Sequence, residues 1–497
     1  MTVKIGRSGW HPSLPGVLFL LWALLIPILD GDLMVNADGD PARHLRHGET
    51  ILESGDVIRD DVFSYTALGK PFVGFEFGSQ ILFALGYRFG GLAGMVVLAA
   101  IAIAGTIGLI ARWLLRSGVD PLLTFLASTT VAMLTYIHWL ARPHVFSWPL
   151  VVLLLGMLEI RPRPSLLWFG CVFVVWVNLH GAFLFGAILV AMYVVGHVLE
   201  ALTSKDPEVR RREWSRTRGT AWILPIIALA TLVNPYGWHL PAHLIGFFGD
   251  PYLQDVTNEF LSPDFHSAAL RPFLLVLLLS MLLLATRPRM HWTHLTVLLG
   301  NAAMALLAQR NIIFFALVSV PLLAIDLGPA WDKVMERFSV IRRFANTARS
   351  GRTIPYAVGT VLLLGFMAYS HGRIAGRQLI DADFSPTRFP VEAVALGRDA
   401  GLQGRIFHEF TWGGYLLWAW PEQRVFIDGG TDFYGPDLVR THRAILGLTP
   451  GWRDSLSTYG IDLVLVEAEG SLAAELQRDS TWTTWYRDST AVLLRRQ

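Results

Sequence analysis

Long apolar runs, separated by short polar or basic connections, dominate the chain at a length set by a bilayer and not by a soluble core. A hydrocarbon slab takes roughly 20 helical residues, with about 17 to 25 tolerated. Apolar segments fall at 14–35, 91–111, 119–140, 144–160, 165–179, 181–201, 219–235, 270–286, 292–308, 311–327 and 353–370, which predicts about 11 spans. Between 165 and 201 the run is interrupted at Asn178-Leu179-His180-Gly181, so it reads as one kinked helix or two. Basic residues decide between these, because Lys and Arg near spans collect on the cytoplasmic side. Lys4 and Arg7 place the N-terminus inside. Arg112 and Arg116, Arg161 and Arg163, Lys205 to Arg218, Arg287 and Arg289, and Lys333 to Arg352 then alternate consistently only if 165–179 and 181–201 are separate spans. The odd count puts the C-terminus outside a bacterial cytoplasmic (inner) membrane. Val35-Asn36-Ala37 is a loose cleavage pattern several residues beyond the first apolar run, so that span is expected to stay uncleaved.

Composition narrows the class further. The 497 residues are 53% hydrophobic and 16% charged, where soluble domains carry about 25% charged residues. A soluble multidomain enzyme and a disordered chain are both excluded. A net charge of +2 gives no footing for a nucleic-acid partner. The single cysteine, Cys171, lies in an apolar run, leaving no intrachain disulfide and no cysteine zinc site.

Three outward regions are long enough to hold chemistry. The first, Asp38 to about Gly90, predicts an amphipathic helix over Ala42–Leu52, a turn at Gly55-Asp56, an extended piece Phe63–Thr66 and a second interfacial helix near Glu76–Phe89. The second, Asn234 to about Ser267, opens on Asn-Pro-Tyr-Gly and holds Asp250, Asp255, Glu259 and Asp264. The third, residues 371–497, shows strand-like runs at Ile461–Val466 and Thr490–Arg495 with a helix at Ser471–Gln477 between them. The expected fold class is an α-helical polytopic membrane protein, with a transmembrane domain over residues 1–370 followed by a small C-terminal α/β extracytoplasmic domain over residues 371–497.

Candidate chemistry starts where the first span ends, at Asp38-Gly39-Asp40-Pro41-Ala42-Arg43-His44. Asp40 suits the N-cap of a helix starting at Pro41, and His44 would follow one turn later on the same face. Carboxylates there can act as general base, or with a third ligand hold a divalent cation; the bland alternative is a capping aspartate. Asp61 and Glu76 follow, the latter between Phe75 and Phe77, where an acid is costly to desolvate unless paired. Arg142 and His144, Asn178 and His180, and Arg310 stand at span ends; such arginines either snorkel to headgroups or bind a phosphate arriving from the bilayer. In the C-terminal region Trp412, Trp418 and Trp420 either stack on sugar rings or fill a core, and Asp428 and Asp432, beside glycines, read as turn residues as readily as ligands. No P-loop, dinucleotide fingerprint, His-Glu-x-x-His or nucleophile elbow is present.

These residues resemble a bacterial membrane-protein family related to the GT-C glycosyltransferases, a superfamily that includes protein O-mannosyltransferases, oligosaccharyltransferases and lipid A aminoarabinose transferases. The matching pieces are Asp38–Gly48, Asp61–Thr66, Phe75–Phe77, Val177–Gly181, Asn234–Gly237, Arg310-Asn311, Trp412–Tyr415 and Asp428–Gly435. The resemblance implies sugar transfer from a polyprenyl-phosphate carrier to an extracytoplasmic glycan, lipid or protein acceptor, with an aspartate near the first span as base or metal ligand. Asp38 and Asp40 stand where that aspartate is expected. Ala42 and Arg43 replace aromatics, and Gly39 stands where the nearer relatives commonly have proline.

The expected catalytic set is therefore Asp40, Asp38 and His44. Asp61, Glu76, Arg142, His144, His180 and Arg310 are expected on the substrate, and a divalent cation is compatible with the acids. Two other classes fit the same architecture: a non-catalytic subunit binding lipid or a partner complex, and a transporter or flippase, which would want mid-span charge and a repeated half that this sequence lacks. Reporter tags after Ser204 and after Gln497 are expected on opposite sides of the membrane. Same-side reporting in an accessibility assay would mean a miscounted span, most directly within 165–201.

Overall fold

The computed structural model describes residues 11–286, 290–337 and 351–497. Lys4, Arg7, Arg287, Arg289 and positions 338–350 of the last basic stretch, which contribute to the expected orientation, lie outside the described residues. Among the described residues, five helices are long and apolar enough to cross a membrane: Leu14–Asn36, Phe77–Arg116, Pro121–His138, Phe183–Thr203 and Gln309–Met335. Shorter apolar helices at Pro143–Glu159, Leu166–Val177, Arg271–Ala285, Trp292–Leu307 and Ile354–Tyr369 coincide with five more expected segments. The remaining one, 219–235, is met by Ile223–Ala230 directly after Pro207–Ala221.

Local chemistry sets the boundaries that matter for the site. Helix α1 (Leu14–Asn36) starts with the Ser13 side chain accepting from the Gly16 N–H and Pro15 in the first turn. Helix α2 (Asp40–Ser54) stops at Gly55, left-handed at φ 72°. The N-cap of α2 is Gly39, not Asp40. Asp38 instead turns its carboxylate to the Asp40 N–H at 3.0 Å, so Asp40 enters the helix with its own carboxylate unspent on capping. The interfacial helix and the 91–111 span are two limbs of one element, α3 (Phe77–Arg116), broken at Gly90-Gly91. Gly91 has φ 61° and ψ −154°, a conformation essentially reserved for glycine. Helices α4 (Pro121–Thr135), α5 (Ser147–Glu159), α6 (Leu166–Val177) and α7 (Phe183–Thr203) follow, α6 and α7 separate as the basic pattern requires.

After the last apolar helix come a two-residue hairpin, β1 (Arg373–Ile374) with β2 (Arg377–Gln378), and a four-stranded sheet in the order β3-β4-β6-β5. Its strands are β3 (Ile406–His408), β4 (Leu463–Glu467), β5 (Trp482–Arg487) and β6 (Ala491–Arg496). β3 and β4 are parallel and the other pairs antiparallel. β4 and β6 are the two expected strands, and the helix between them spans Ser471–Gln477 as expected. Trp412 and Trp420 are 3% exposed, and Trp418 packs against Phe384 and Tyr415. These tryptophans fill the core and offer no stacking platform.

One apolar core runs from Leu18 of α1 to Leu493 of β6, so the C-terminal region is seated on the helices. Asn36, ending α1, donates to the Asp383 carbonyl at 2.8 Å and accepts from the Ser385 N–H at 2.9 Å. The expected extended piece Phe63–Thr66 exchanges hydrogen bonds with Val425, Tyr65 N to Val425 O and Val425 N to Phe63 O, both 3.1 Å. Gly39 lies against the Thr411 carbonyl so closely that a Cβ would sit 1.9 Å from its oxygen. This contact explains glycine at that position. Gly39→Ala is expected to cost about 1–3 kcal/mol, the range for overpacking, read as a lower melting temperature in detergent. Gly105→Ala, whose Cβ meets nothing within 4 Å, should show no such loss.

Candidate functional site

The site is assembled by backbone hydrogen bonds between elements far apart in sequence. The Ala141 N–H donates to Met34 O at 2.9 Å, which sets Arg142 beside the exit of α1. Gly78 N donates to Asn178 O at 3.0 Å and Ser79 Oγ to Leu179 O at 2.7 Å, bringing the α6–α7 turn, and with it His180, against the start of α3. Gln309 N donates to Leu261 O at 2.9 Å, which places Arg310 over the Glu259-Phe260 turn.

At the centre is Arg142. Its Nη1 meets Asp38 Oδ2 at 2.8 Å and Glu259 Oε1 at 2.9 Å, and its Nη2 meets Asp40 Oδ2 at 2.6 Å. Three carboxylates from two outward regions thus share one guanidinium, a charge-assisted geometry of high strength. Arg142 holds the Glu259 carboxyl well below the usual carboxylate range despite its burial. Burial pushes Asp38 up, against the pull of Arg142. Arg43, one turn into α2, reaches Asp40 Oδ1 at 3.4 Å. Arg310 stacks 4.5 Å over the Phe260 ring and makes no ion pair among the described residues.

Glu76 forms a second focus. It occupies the N-cap position of α3 without using its side chain to cap, and its oxygens face His44 Nδ1 at 3.6 Å and His180 Nε2 at 3.5 Å. His180 Nδ1 accepts from the Ala182 N–H at 3.1 Å, so its ring proton sits on Nε2, toward Glu76. Burial pushes the Glu76 carboxyl up to about 7, opposed by Arg43 and Arg142. Burial, reinforced by Arg43, drives His44 and His47 well below the ordinary histidine range, so both rings stay neutral.

The C-terminal region closes the site from a third side. The Asp428–Asp432 loop lies against α2, and Arg43, Glu76, Gln80, Asp428 and Asp432 share a narrow cleft with Phe72 and Phe433. Burial raises Asp428 to about 6, against Arg43. Burial also acts upward on Asp432, but its hydrogen bond to His243 Nε2 at 2.9 Å outweighs that and leaves it below the usual value.

Of the expected residues, Asp38, Asp40 and Arg142 meet in one cluster, His44, Glu76 and His180 in the adjoining one, and Arg310 borders the first through Phe260. His144 donates from Nε2 to the His138 carbonyl at 2.8 Å, its ring 6.5 Å from that of His180. Asp61 stands apart: it accepts from Phe63 N, Ser64 N and Ser64 Oγ at 3.1, 3.2 and 2.6 Å, so its carboxylate is occupied in holding its own loop. His47, Gln80 and His243 were not singled out from sequence, and Glu259 and Arg43 were named there without an assigned role. Only Arg43, displacing an aromatic, carried a local signal. Among the described residues no three His, Cys, Asp or Glu side chains converge on a point that could hold a metal ion. The acids that do converge, Asp38, Asp40 and Glu259, converge on Arg142.

No family model and no curated protein matches the sequence. Solved structures do match. The archaeal oligosaccharyltransferase AglB from Archaeoglobus fulgidus, in complex with an inhibitory peptide and a dolichol-phosphate, superposes with a TM-score of 0.58 at 13% identity, over 97% of this chain and 74% of that one. The apo oligosaccharyltransferase of the same organism gives 0.58 at 13%, over 92% and 69%. ArnT from Cupriavidus metallidurans bound to undecaprenyl phosphate gives 0.50 at 14%, over 96% and 97%. Both proteins are members of the GT-C glycosyltransferase superfamily. With its long apolar helices, its site at the exit of the first of them and these neighbours, the chain is a multi-pass membrane protein with the GT-C glycosyltransferase fold.

Proposed function

We propose that this protein transfers a sugar from a polyprenyl-phosphate carrier to an acceptor on the extracytoplasmic side of the inner membrane, N-terminus inside and C-terminus outside. The observation that carries the reading is the junction at Asp40. Its Oδ2 faces Arg142, beside Glu259 and Arg310, while its Oδ1 faces Arg43 and the Asp428 loop. One carboxylate thus lies between a cationic side suited to a lipid phosphate and the loop of the C-terminal region that carries Asp428 and Asp432. Two of the structural neighbours were solved with a polyprenyl phosphate bound, which supports a carrier of that class.

In this reading the Asp40 carboxylate takes the proton of an acceptor hydroxyl, whose oxygen forms a bond to the anomeric carbon. The bond from that carbon to the phosphate oxygen breaks, and the polyprenyl phosphate leaves with the bonding pair. Arg310 meets the phosphate and Arg142 stands next to it, offering planar donor forks to the charge that develops on the leaving oxygens. Positioned general-base catalysis contributes about 10²- to 10⁴-fold. Glu76, raised by burial to about 7 and so about half protonated at neutrality, can donate a hydrogen bond when protonated without adding a negative charge beside the phosphate, and His180 orients it. A non-catalytic lipid-binding subunit is the second reading, favoured by the fact that Arg142 binds both Asp38 and Asp40.

Asp40→Asn keeps shape but cannot accept a proton, and it should insert and fold normally yet abolish transfer from a polyprenyl-phosphate sugar in lipid. Asp38→Asn is the fallback if Asp40→Asn stays active. Arg310→Ala should weaken undecaprenyl-phosphate binding by about 1–3 kcal/mol. Transfer by both Asn variants at the wild-type rate would remove the proposed base, and a wild type inactive on every donor would favour the second reading.

The raised Glu76 carboxyl makes stability pH-dependent with a definite sign. The folded chain keeps this proton up to about pH 7, whereas the unfolded chain releases it near 4.5. Between those values the folded state binds more protons, so stability falls as pH rises, by on the order of 1–3 kcal/mol once complete. The buried neutral histidines act in the opposite direction in both proteins, so the Glu76 effect is read as a difference: the melting temperature of wild type relative to Glu76→Gln should fall from pH 5 to pH 8. Parallel curves for the two proteins would show that Glu76 is ionised in the folded state.

A further inference from the structure

The second outward region opens on a stretch poorly suited to water. No Asp, Glu, Lys or Arg occurs between Arg218 and Asp250. The first part of that stretch is the apolar helix Ile223–Ala230, and a separate helix, His239–Phe248, follows beyond the end of the span. One side of this second helix is packed: Leu240 and Leu244 are 0% and 2% exposed. The other side is bare. Trp238, at its start, is 63% exposed, Ile245 65% and Phe248 40%. Single apolar side chains on a surface are ordinary, but a charge-free exposed face marks a contact surface.

Three neighbours fix the depth of the helix. Leu229, Leu232 and Val233, at the end of the preceding apolar run, are 64%, 46% and 55% exposed and face lipid, and only the turn Asn234-Pro235-Tyr236-Gly237 separates Val233 from Trp238. That turn is pinned to the first loop, where Tyr236 Oη donates to Ile58 O at 2.9 Å. Leu244 lies over the α6–α7 turn, and a Cβ at Gly181 would come within 3.3 Å of both its methyls. The His243 ring is 6.2 Å from that of Phe75, just before α3 begins. The helix therefore runs along the outward end of the bundle, level with the start of the interfacial limb of α3. Its packed side rests on the bundle, and His243 reaches Asp432 of the C-terminal region, so the bare side faces neither.

The bare side continues the lipid-facing surface of Leu229–Val233 without an intervening charge, and that continuity selects its partner. Trp238, stacked on His239 at 4.7 Å, is an amphipathic ring of the kind that collects at the headgroup boundary. Ile245 and Phe248 suit the acyl boundary beneath it. We propose that the His239–Phe248 helix is a membrane-docking element, lying in the interface of the outward leaflet with Ile245 and Phe248 among the acyl chains and Trp238 at the headgroups. The same region carries His243 to Asp432 and Glu259 to Arg142, so one wall of the site rests on the bilayer surface. The docking does not depend on the transferase reading and is tested without any sugar donor.

The test uses the full-length protein in nanodiscs of phosphatidylethanolamine and phosphatidylglycerol. Cys171→Ala removes the one cysteine, and single nitroxide labels are attached through Trp238→Cys or Ile245→Cys. Leu279→Cys, 52% exposed in the middle of the Arg271–Thr286 helix, is the lipid reference. Asp454→Cys, exposed on the C-terminal region, is the water reference. Collision with oxygen, which concentrates in the bilayer, and with a nickel chelate, which stays in water, is read from saturation of the nitroxide signal. The oxygen-to-nickel collision ratio should exceed that of Asp454 at both positions, with Ile245 close to Leu279. A ratio at Ile245 no higher than at Asp454 overturns the proposal by placing the face in water. Low collision with both reagents at Ile245 also overturns it, by placing a protein there, and dipolar broadening would identify that protein as a second copy. Ile245 decides alone if the Trp238 variant does not fold.

Discussion

The guanidinium of Arg142 is the contact on which the rest of the site depends. Asp38 and Asp40 come from the exit of α1 and the first turn of α2, and Glu259 from the second outward region. None of the three acids could lie this close to the others in a low-dielectric environment without a cation between them. Such a partly buried cluster adds little net stability over a well-packed apolar one, but removing a partner is costly, because the remaining charges are left without compensation. Its effect here is positional. It fixes the depth of both aspartates at the end of the first apolar helix and ties the second region to the first, so Arg310, held over Phe260, arrives at the same place.

A second constraint is the seating of the C-terminal region on the first loop. Gly39 meets Thr411 and Gly414 meets Gly39, each at a distance that no side chain would permit. Thr66 Oγ1 donates to Phe426 O at 2.6 Å, and the Phe63–Thr66 segment pairs with Val425. These contacts deliver Asp428 and Asp432 to Arg43 and bring His243 of the second region to Asp432 at 2.9 Å. Three segments distant in the chain therefore close around one cleft.

The bundle was legible in the sequence because lipid imposes a strong and local demand, a run of apolar residues of fixed length. The split at Asn178 was legible for a related reason: Asn178 spends its amide on the Val174 and Val233 carbonyls, a polar interruption that a single span would not carry. The expected cap at Asp40 failed because Asp-Gly-Asp offers two aspartates to the same helix start, and the Asp38 turn, braced by Arg142, takes the cap-like role. Strands β3 and β5 were missed for want of pattern: β3 has three residues and is wholly buried, and β5 buries only Trp482 fully. Asp428 read as a turn residue, and it is one, accepting from Gly430 N at 2.9 Å. The same carboxyl also faces the cleft, and no local sequence signal separates a turn aspartate from a turn aspartate that lines a site.

The ionic balance of the site also argues for the direction in which ligands enter. Arg142 and Arg43 are already offset by Asp38, Asp40 and Glu259, so a phosphate approaching from their side meets charge that is largely neutralised. Arg310 differs: its face rests on a ring and its edge donors are uncommitted to any carboxylate among the described residues, which makes it the group able to receive an anion without displacing another. The cleft on the far side of Asp40 has the opposite character. Its acids outnumber its single guanidinium, and burial raises Glu76 to about 7 and Asp428 to about 6, so near neutrality some of that acidity is held as O–H donors. That acidity is unfavourable to an anion on this side. In the proposed transfer Asp40 would lie between the Arg310 side, where the carrier phosphate is expected, and this acid-rich side, from which an alcohol would approach.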